Sequence, residues 1–148
     1  MTLALDLARL QSLFFDTAPV IYYIEAHPQF GPLSKEAVQA FQSGNLTGYS
    51  SVITLSEVLA KPIQAGEGAL ARRFAAFLRA GRNFHLIDVS ADIAQRAGEL
   101  RGKYPALRTV DSIQIASALS IGAEGFLTND GKLKQVTEIQ VLVLKDYL

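Results

Sequence analysis

Leu13-Phe14-Phe15-Asp16-Thr17-Ala18-Pro19-Val20-Ile21-Tyr22-Tyr23-Ile24 changes rhythm at its fourth residue, and the fold turns on that change. Leu13 to Phe15 is a short apolar run, the pattern of a strand buried on both faces. It stops at Asp16. Thr17-Ala18-Pro19 then opens a helix, because Asp16 or Thr17 can cap it and proline is tolerated in a first turn. Val20, Ile21, Tyr23 and Ile24 give that helix an apolar face, which fades near His27-Pro28.

The same alternation continues along the chain. A helix over Leu33 to Phe41 stops at Ser43-Gly44-Asn45, and Leu46 to Ser50 fits a second strand. Ser50-Ser51 can cap a helix from Val52 to Leu59, which Pro62 is expected to end. Glu67 to Arg79 repeats apolar residues at helical spacing, with Gly81 as the stop. Phe84 to Val89 reads as a third strand and Ala91 to Leu100 as a helix with Asp92 in its first turn. Beyond a loop at Pro105, Thr109 is expected to cap a helix through Leu119 whose inward face is Ile115, Ala116 and Leu119. Gly125 to Thr128 and Gln140 to Leu144 complete the strands. Strands separated by helices indicate an α/β domain with a parallel sheet covered on both faces.

Composition agrees with one folded unit. The chain has 148 residues, 49% of them hydrophobic, which is enough for a proper core. No apolar run reaches the ~20 residues that cross a bilayer. The opening Met1-Thr2-Leu3-Ala4-Leu5-Asp6 lacks a basic region followed by an apolar stretch, so a cytoplasmic protein without a signal peptide is expected. Residues 1–12 form an amphipathic lead-in, either a short helix or a mobile arm. With no cysteine, disulfides, thiolate metal sites and a Cys nucleophile are excluded. His27 and His85 are too isolated for a histidine-based zinc site. The formal net charge is zero, yet Arg72 to Arg108 holds eight basic residues against three acidic ones. That segment is either a solvated surface or a phosphate-binding face, with Arg72, Arg73 and Arg108 as candidate RNA contacts.

Asp16, Glu57, Asp111 and Asp130 each fall where an apolar run yields to a loop or lie on a helix that follows a strand. Singly, each fits a helix cap, a first-turn acid, a surface position or a turn. On a parallel sheet they converge beyond the carboxyl ends of the strands, where open α/β folds bind ligands. Carboxylates gathered in one crevice repel one another unless a proton or a divalent cation joins them.

Four segments carry a family resemblance: Phe15 to Glu25, Thr54-Leu55-Ser56-Glu57-Val58-Leu59, Asp111-Ser112-Ile113-Gln114-Ile115-Ala116-Ser117-Ala118 and Leu127-Thr128-Asn129-Asp130. With the closing Val141 to Leu148, they make the chain from Leu13 onward resemble the PIN domain family, in particular VapC-like toxins of toxin–antitoxin pairs. Asp16 lies later in the chain than the first acid of compact members. The resemblance implies residues 13–148 as a three-layer α/β/α PIN-like domain with a central parallel sheet of about five strands. It implies a Mg²⁺- or Mn²⁺-dependent endoribonuclease leaving 5′-phosphate and 3′-hydroxyl ends, a homodimer, and a cognate antitoxin that covers the acidic site. Asp16 and Asp111 are then the principal metal ligands, Asp130 a direct or water-mediated one, and Glu57 the holder of a metal-bound water or a general base. Thr128, Asn129 and Thr17 would support them from behind. Exposed parts of the Val20–Ile24 and Val52–Leu59 helices are the expected antitoxin surfaces. The rival is a catalytically inactive PIN-like module that binds RNA or protein, against which stands the presence of all four acids. Phe15-Asp16-Thr17-Ala18 also matches an aspartic-protease signature, but that fold is β-rich and this chain alternates.

Overall fold

A computed structural model describes residues 2–148. Its elements run α1 (Leu3–Ala8), β1 (Ser12–Phe15), α2 (Thr17–Ile24), α3 (Gly31–Gln42), β2 (Thr47–Ser51), α4 (Val52–Gln64), α5 (Gly68–Ala80), β3 (Phe84–Ile87), α6 (Ala91–Lys103), α7 (Thr109–Ser120), β4 (Gly125–Thr128) and β5 (Gln140–Val143), with short 3₁₀ turns at Gly131–Gln135 and Leu144–Tyr147. The five strands form one sheet in the order β3-β2-β1-β4-β5. Every neighbouring pair is parallel. The expected three-layer α/β/α architecture is the one observed.

The period-two alternation of β1 sorts its side chains between two cores. Leu13 and Phe15 join Val20, Val38, Phe41, Val58 and Phe74 on the face covered by α1 to α5. Phe14 points to the other face, among Ile93, Leu100 and Ile115 of α6 and α7. There it stacks on Phe126 of β4, ring centroids 5.4 Å apart. Gly48 of β2 has a packing reason of its own: a Cβ there would lie 2.7 Å from the Phe41 ring and 2.8 Å from the Phe84 ring. Its hydrogen lets both aromatics lie against the strand.

Three local expectations are corrected. Pro62 does not end α4, which runs on to Gln64. The proline lies in the last turn, where it forfeits a single intrahelical bond, its ring is buried, and its carbonyl accepts from the Glu67 N–H at 2.8 Å. Gly81 does close α5, but in extended rather than left-handed backbone. Glycine is needed there for room, since a Cβ would meet the Phe77 carbonyl oxygen at 2.5 Å. Thr109 is the first residue of α7 and not its cap; Arg108 takes the cap position without a side-chain cap bond. The lead-in is resolved as structure: Thr2 caps α1, and Leu3, Leu7 and Leu10 are buried in the same core as β1. Asp6 accepts a 2.6 Å hydrogen bond from the Tyr147 hydroxyl, tying residues near the two ends of the chain together. Burial and that neighbouring carboxylate push the Tyr147 phenol well above its ordinary range.

Candidate active site

The strand order reverses direction between β1 and β4: from β1 the chain winds outward to β2 and β3, from β4 outward to β5. Connections therefore diverge beyond the carboxyl ends of these two strands and leave a crevice. A cavity of ≈ 490 Å³ occupies it, and Asp16, Glu57, Arg108, Asp111, Thr128 and Asp130 are in its wall. Four distant segments thus deliver the four expected acids to one place. Asp16 follows β1 and caps α2, Glu57 is in the middle of α4, Asp111 is in the first turn of α7, and Asp130 follows β4.

Asp16 is held by neutral donors. Its Oδ1 accepts from the Thr17 N–H at 2.9 Å and its Oδ2 from the Thr128 hydroxyl at 2.8 Å. Thr128 Oγ1 in turn accepts from the Asp130 N–H at 3.2 Å, so the threonine couples the two acids at the strand ends. Burial pushes the Asp16 carboxyl up to about 6. The Thr128 and Thr17 bonds oppose that rise, while the charges of Asp111 and Glu57 add to it. Asp111 is held differently. Arg108 Nε donates to its Oδ2 at 2.9 Å and Nη2 to its Oδ1 at 3.3 Å, a paired grip on both oxygens. Asp130 Oδ1 accepts from the Lys132 N–H at 3.0 Å.

Glu57 ends a directed chain of side-chain hydrogen bonds. Ser51 Oγ donates to Gln114 Oε1, and Gln114 Nε2 donates to Thr54 Oγ1 at 2.7 Å. Thr17 Oγ1 donates to Glu57 Oε1 at 2.5 Å. With its own hydrogen spent there, Thr17 accepts from the Thr54 hydroxyl at 3.2 Å. Every donor points toward Glu57, an arrangement in which each bond polarises the next. Ser51, Thr54 and Gln114 are fully buried, whereas Glu57 reaches solvent at the crevice edge.

The sequence reading missed Gln114, Thr54 and Ser51 as parts of the site. A signal was there: Gln114 is one turn beyond Asp111, on a helix otherwise dominated by small and apolar residues, and Thr54 is one turn before Glu57. Asn129 also lines the crevice, with its side-chain amide engaged by partners other than the acids. Its Nδ2 donates to the Tyr22 hydroxyl at 3.2 Å and its Oδ1 accepts from the Lys145 N–H at 2.9 Å, pinning the loop after β4 to α2 and to the 3₁₀ turn after β5. Of the three candidate arginines only Arg108 is in the crevice wall. Arg72 and Arg73 are exposed on α5, and Arg73 donates to the Ile24 carbonyl at 3.0 Å.

The donor set suits a hard divalent cation: carboxylates and hydroxyl oxygens, with no sulfur. Asp16 is raised first by burial and further by the charges of Asp111 and Glu57, both of which a bound cation would offset. Among the described residues no three His, Asp or Glu side chains stand close enough to grasp an ion in their present rotamers. Asp111 and Glu57 are engaged instead by Arg108 and Thr17. The chemistry fits a metal, and the rotamers are those of an open site.

The PIN domain family description matches residues 13–139. The chain belongs to the PIN domain family. No curated protein matches the sequence. Among solved structures, VapBC2 from Rickettsia felis, bound to a DNA fragment from its promoter, is similar at 20% identity, covering 89% of this chain and 98% of that one with a TM-score of 0.73. A toxin–antitoxin complex from Klebsiella pneumoniae shares 26% identity over 88% of this chain and 96% of that one, TM-score 0.66. The sarcin–ricin-loop-cleaving toxin VapC20 of Mycobacterium tuberculosis shares 20% over 87% and 98%, TM-score 0.69.

Proposed function

We propose that this PIN domain is a Mg²⁺- or Mn²⁺-dependent endoribonuclease and the toxin half of a VapBC-type pair. One observation carries the reading: Asp16, Glu57, Asp111 and Asp130, from four separate segments, line one crevice at the switch point of the sheet. A divalent cation held by Asp16 and Asp111 would make water nucleophilic near neutral pH and offset charge on the phosphoryl oxygens.

The chain's own groups supply the rest. Thr128 and the Thr17 N–H fix the Asp16 carboxylate in one rotamer, and Thr128 carries that order to Asp130. Glu57, aimed by Thr17, stands at the crevice edge, where it orients an attacking water and takes its proton. Attack by water rather than by a ribose 2′-hydroxyl leaves 5′-phosphate and 3′-hydroxyl ends. Arg108 at the mouth, with Arg72 and Arg73 more remote, supplies positive charge for the RNA backbone.

The solved relatives include toxin–antitoxin complexes, and by analogy the partner here is an antitoxin lying over α2 and α4 beside the crevice. A homodimer acting in the cytoplasm completes the proposal. Among the described residues no helix is long and apolar enough to cross a membrane.

The test is cleavage of total cellular RNA by purified protein, with Mg²⁺ or Mn²⁺ and with EDTA, followed by sequencing of the new 5′ ends. Metal-dependent 5′-phosphate ends that vanish in Asp16→Asn and Asp111→Asn are expected. Undiminished cleavage by Asp16→Asn would overturn the assignment. An inactive binding module would give no such ends while still retaining RNA or a protein partner.

A further inference from the structure

We infer that Arg108 is an internal counter-ion that must let go of Asp111 before a divalent cation can be held, so that its side chain is a displaceable gate on the metal site. The inference deepens the metal-dependent reading and rests on it.

Three features of Arg108 lead there. First, it occupies both carboxylate oxygens of Asp111, at 2.9 and 3.3 Å. A carboxylate gripped in this way has its best lone pairs spent, and the same crevice has no ready-made cluster of three acids. Second, the two partners differ in freedom. The Asp111 side chain is 8% exposed and that of Arg108 is 77% exposed. Asp111 cannot easily turn away, whereas the arginine can swing into water at small cost, since pairs with an exposed member contribute little. Third, Arg108 sits at the N-terminal cap position of α7, where acceptor side chains are favoured and the helix dipole disfavours a cation. Asp111 is what makes a guanidinium tolerable there. Once a second cation shares that carboxylate, helix dipole and metal both repel the arginine, and the repulsion drives it out. The adjoining cavity of ≈ 220 Å³ is walled by Asp111 and Asp130 as well as by Arg108 and Lys132, so the way out for the released side chain is into the solvent that already surrounds most of it.

With the ion absent, Arg108 offsets part of the acidic charge; with it present, the guanidinium is released at the crevice mouth.

The test is isothermal titration of Mn²⁺ into EDTA-treated, buffer-exchanged full-length protein, comparing wild type with Arg108→Gln. Removing the competing cation is expected to tighten Mn²⁺ binding by roughly three- to tenfold, the size of an exposed pair. Should Arg108→Gln fail to fold, Arg108→Lys, which keeps the charge but loses the two-point grip, carries the same comparison with a smaller gain. A second readout follows the arginine itself, through the Nε–H signal of Arg108 in ¹⁵N-labelled protein, identified by its absence from Arg108→Lys. It is expected to be protected from solvent exchange in metal-free protein and to lose that protection as Mg²⁺ saturates. Equal or weaker Mn²⁺ affinity in Arg108→Gln, or an Arg108 signal unmoved at Mg²⁺ saturation, overturns the gate while leaving the metal site standing. Wild type that binds no Mn²⁺ overturns both.

Discussion

At the β1 end of the crevice, Asp16 meets only a backbone N–H and a threonine hydroxyl; at the α7 end, Asp111 meets a guanidinium. The residue type is the same, and the two carboxylates feel each other, yet one is left short of positive charge and the other is not. Burial, with no cation bonded to it directly, pushes Asp16 up to about 6. The difference separates two ways of keeping a carboxylate available for metal: leave it hungry, or lend it a removable partner. Asp16 is the first kind and Asp111 the second.

The largest effect erases the distinction. Asp16→Asn and Asp111→Asn are each expected to reduce RNA cleavage by about 10³-fold or more, since both remove charge on which transition-state stabilisation depends. Single-turnover rates at saturating Mn²⁺ check this. A variant that kept a tenth of wild-type activity would lose its place as a principal ligand.

Next comes the element that joins the two ends. Gln114 on α7 bonds Ser51 and Thr54, and through Thr54 and Thr17 the chain reaches Glu57. Gln114→Leu fills similar volume but takes the acceptor from the buried Ser51 hydroxyl and a donor from Thr54, at a cost of about 1–3 kcal/mol of stability. A drop in activity should accompany it, seen in kcat with KM nearly unchanged, because Glu57 loses its aim and not its charge. Urea unfolding with steady-state kinetics measures both. Gln114→Glu, which keeps the acceptor, is expected to restore less than half, as the donor to Thr54 is gone. A Gln114→Leu protein as stable and active as wild type would show the chain to be incidental.

How far the sequence could have led to these contacts depends on whether the pattern is local. The strand-to-helix change at Asp16 is written in adjacent residues, and the Phe14/Phe15 alternation already assigns two cores; both are legible because burial selects side chains directly. Asp16, Asp111 and Asp130 were legible for the same reason, each lying next to a change of element, and Glu57 was legible as an acid on the helix that follows β2. Pro62 was misleading because a proline in a last turn costs one hydrogen bond rather than a helix. Gln114 was invisible because its partners Ser51 and Thr54 are some sixty residues away, a pairing made by the fold alone. The Arg108–Asp111 pair was closer at hand, three residues apart at a helix start, yet the expected Thr109 cap hid it.

The third effect separates Asp16 from Asp111 in stability. A carboxyl raised from the ordinary 3.8 to about 6 binds its proton more tightly in the folded than in the unfolded chain. Its contribution is therefore most favourable below pH 4 and is lost as pH rises through 6, the reverse of an aspartate in an ion pair. Asp16→Asn should then raise the stability of metal-free protein at pH 7 by roughly 1–3 kcal/mol and have little effect at pH 4. Saturating Mn²⁺ should remove the advantage, because only wild type gains from the ion. Melting temperatures in EDTA from pH 4 to 7.5 decide it; a difference that does not grow between pH 4 and 6 would mean that Asp16 is not the hungry acid.

The smallest effect belongs to the lent partner. Arg108→Gln removes an ion pair whose basic member is mostly in water, so the metal-free protein should lose no more than about 1 kcal/mol, and less in high salt. It also removes a cation from the start of α7, which returns part of that loss. Asp111→Asn removes the other half of the pair and leaves Arg108 at the helix start with only the more distant Asp130 and Asp16 to offset it, so it should cost more than Arg108→Gln does. That order, Asp16→Asn stabilising, Arg108→Gln near neutral and Asp111→Asn destabilising, is what the two ways of holding a carboxylate require. Equal melting temperatures for Asp16→Asn and Asp111→Asn in EDTA at pH 7 would collapse the contrast, because a crevice governed only by total negative charge could not tell the two acids apart.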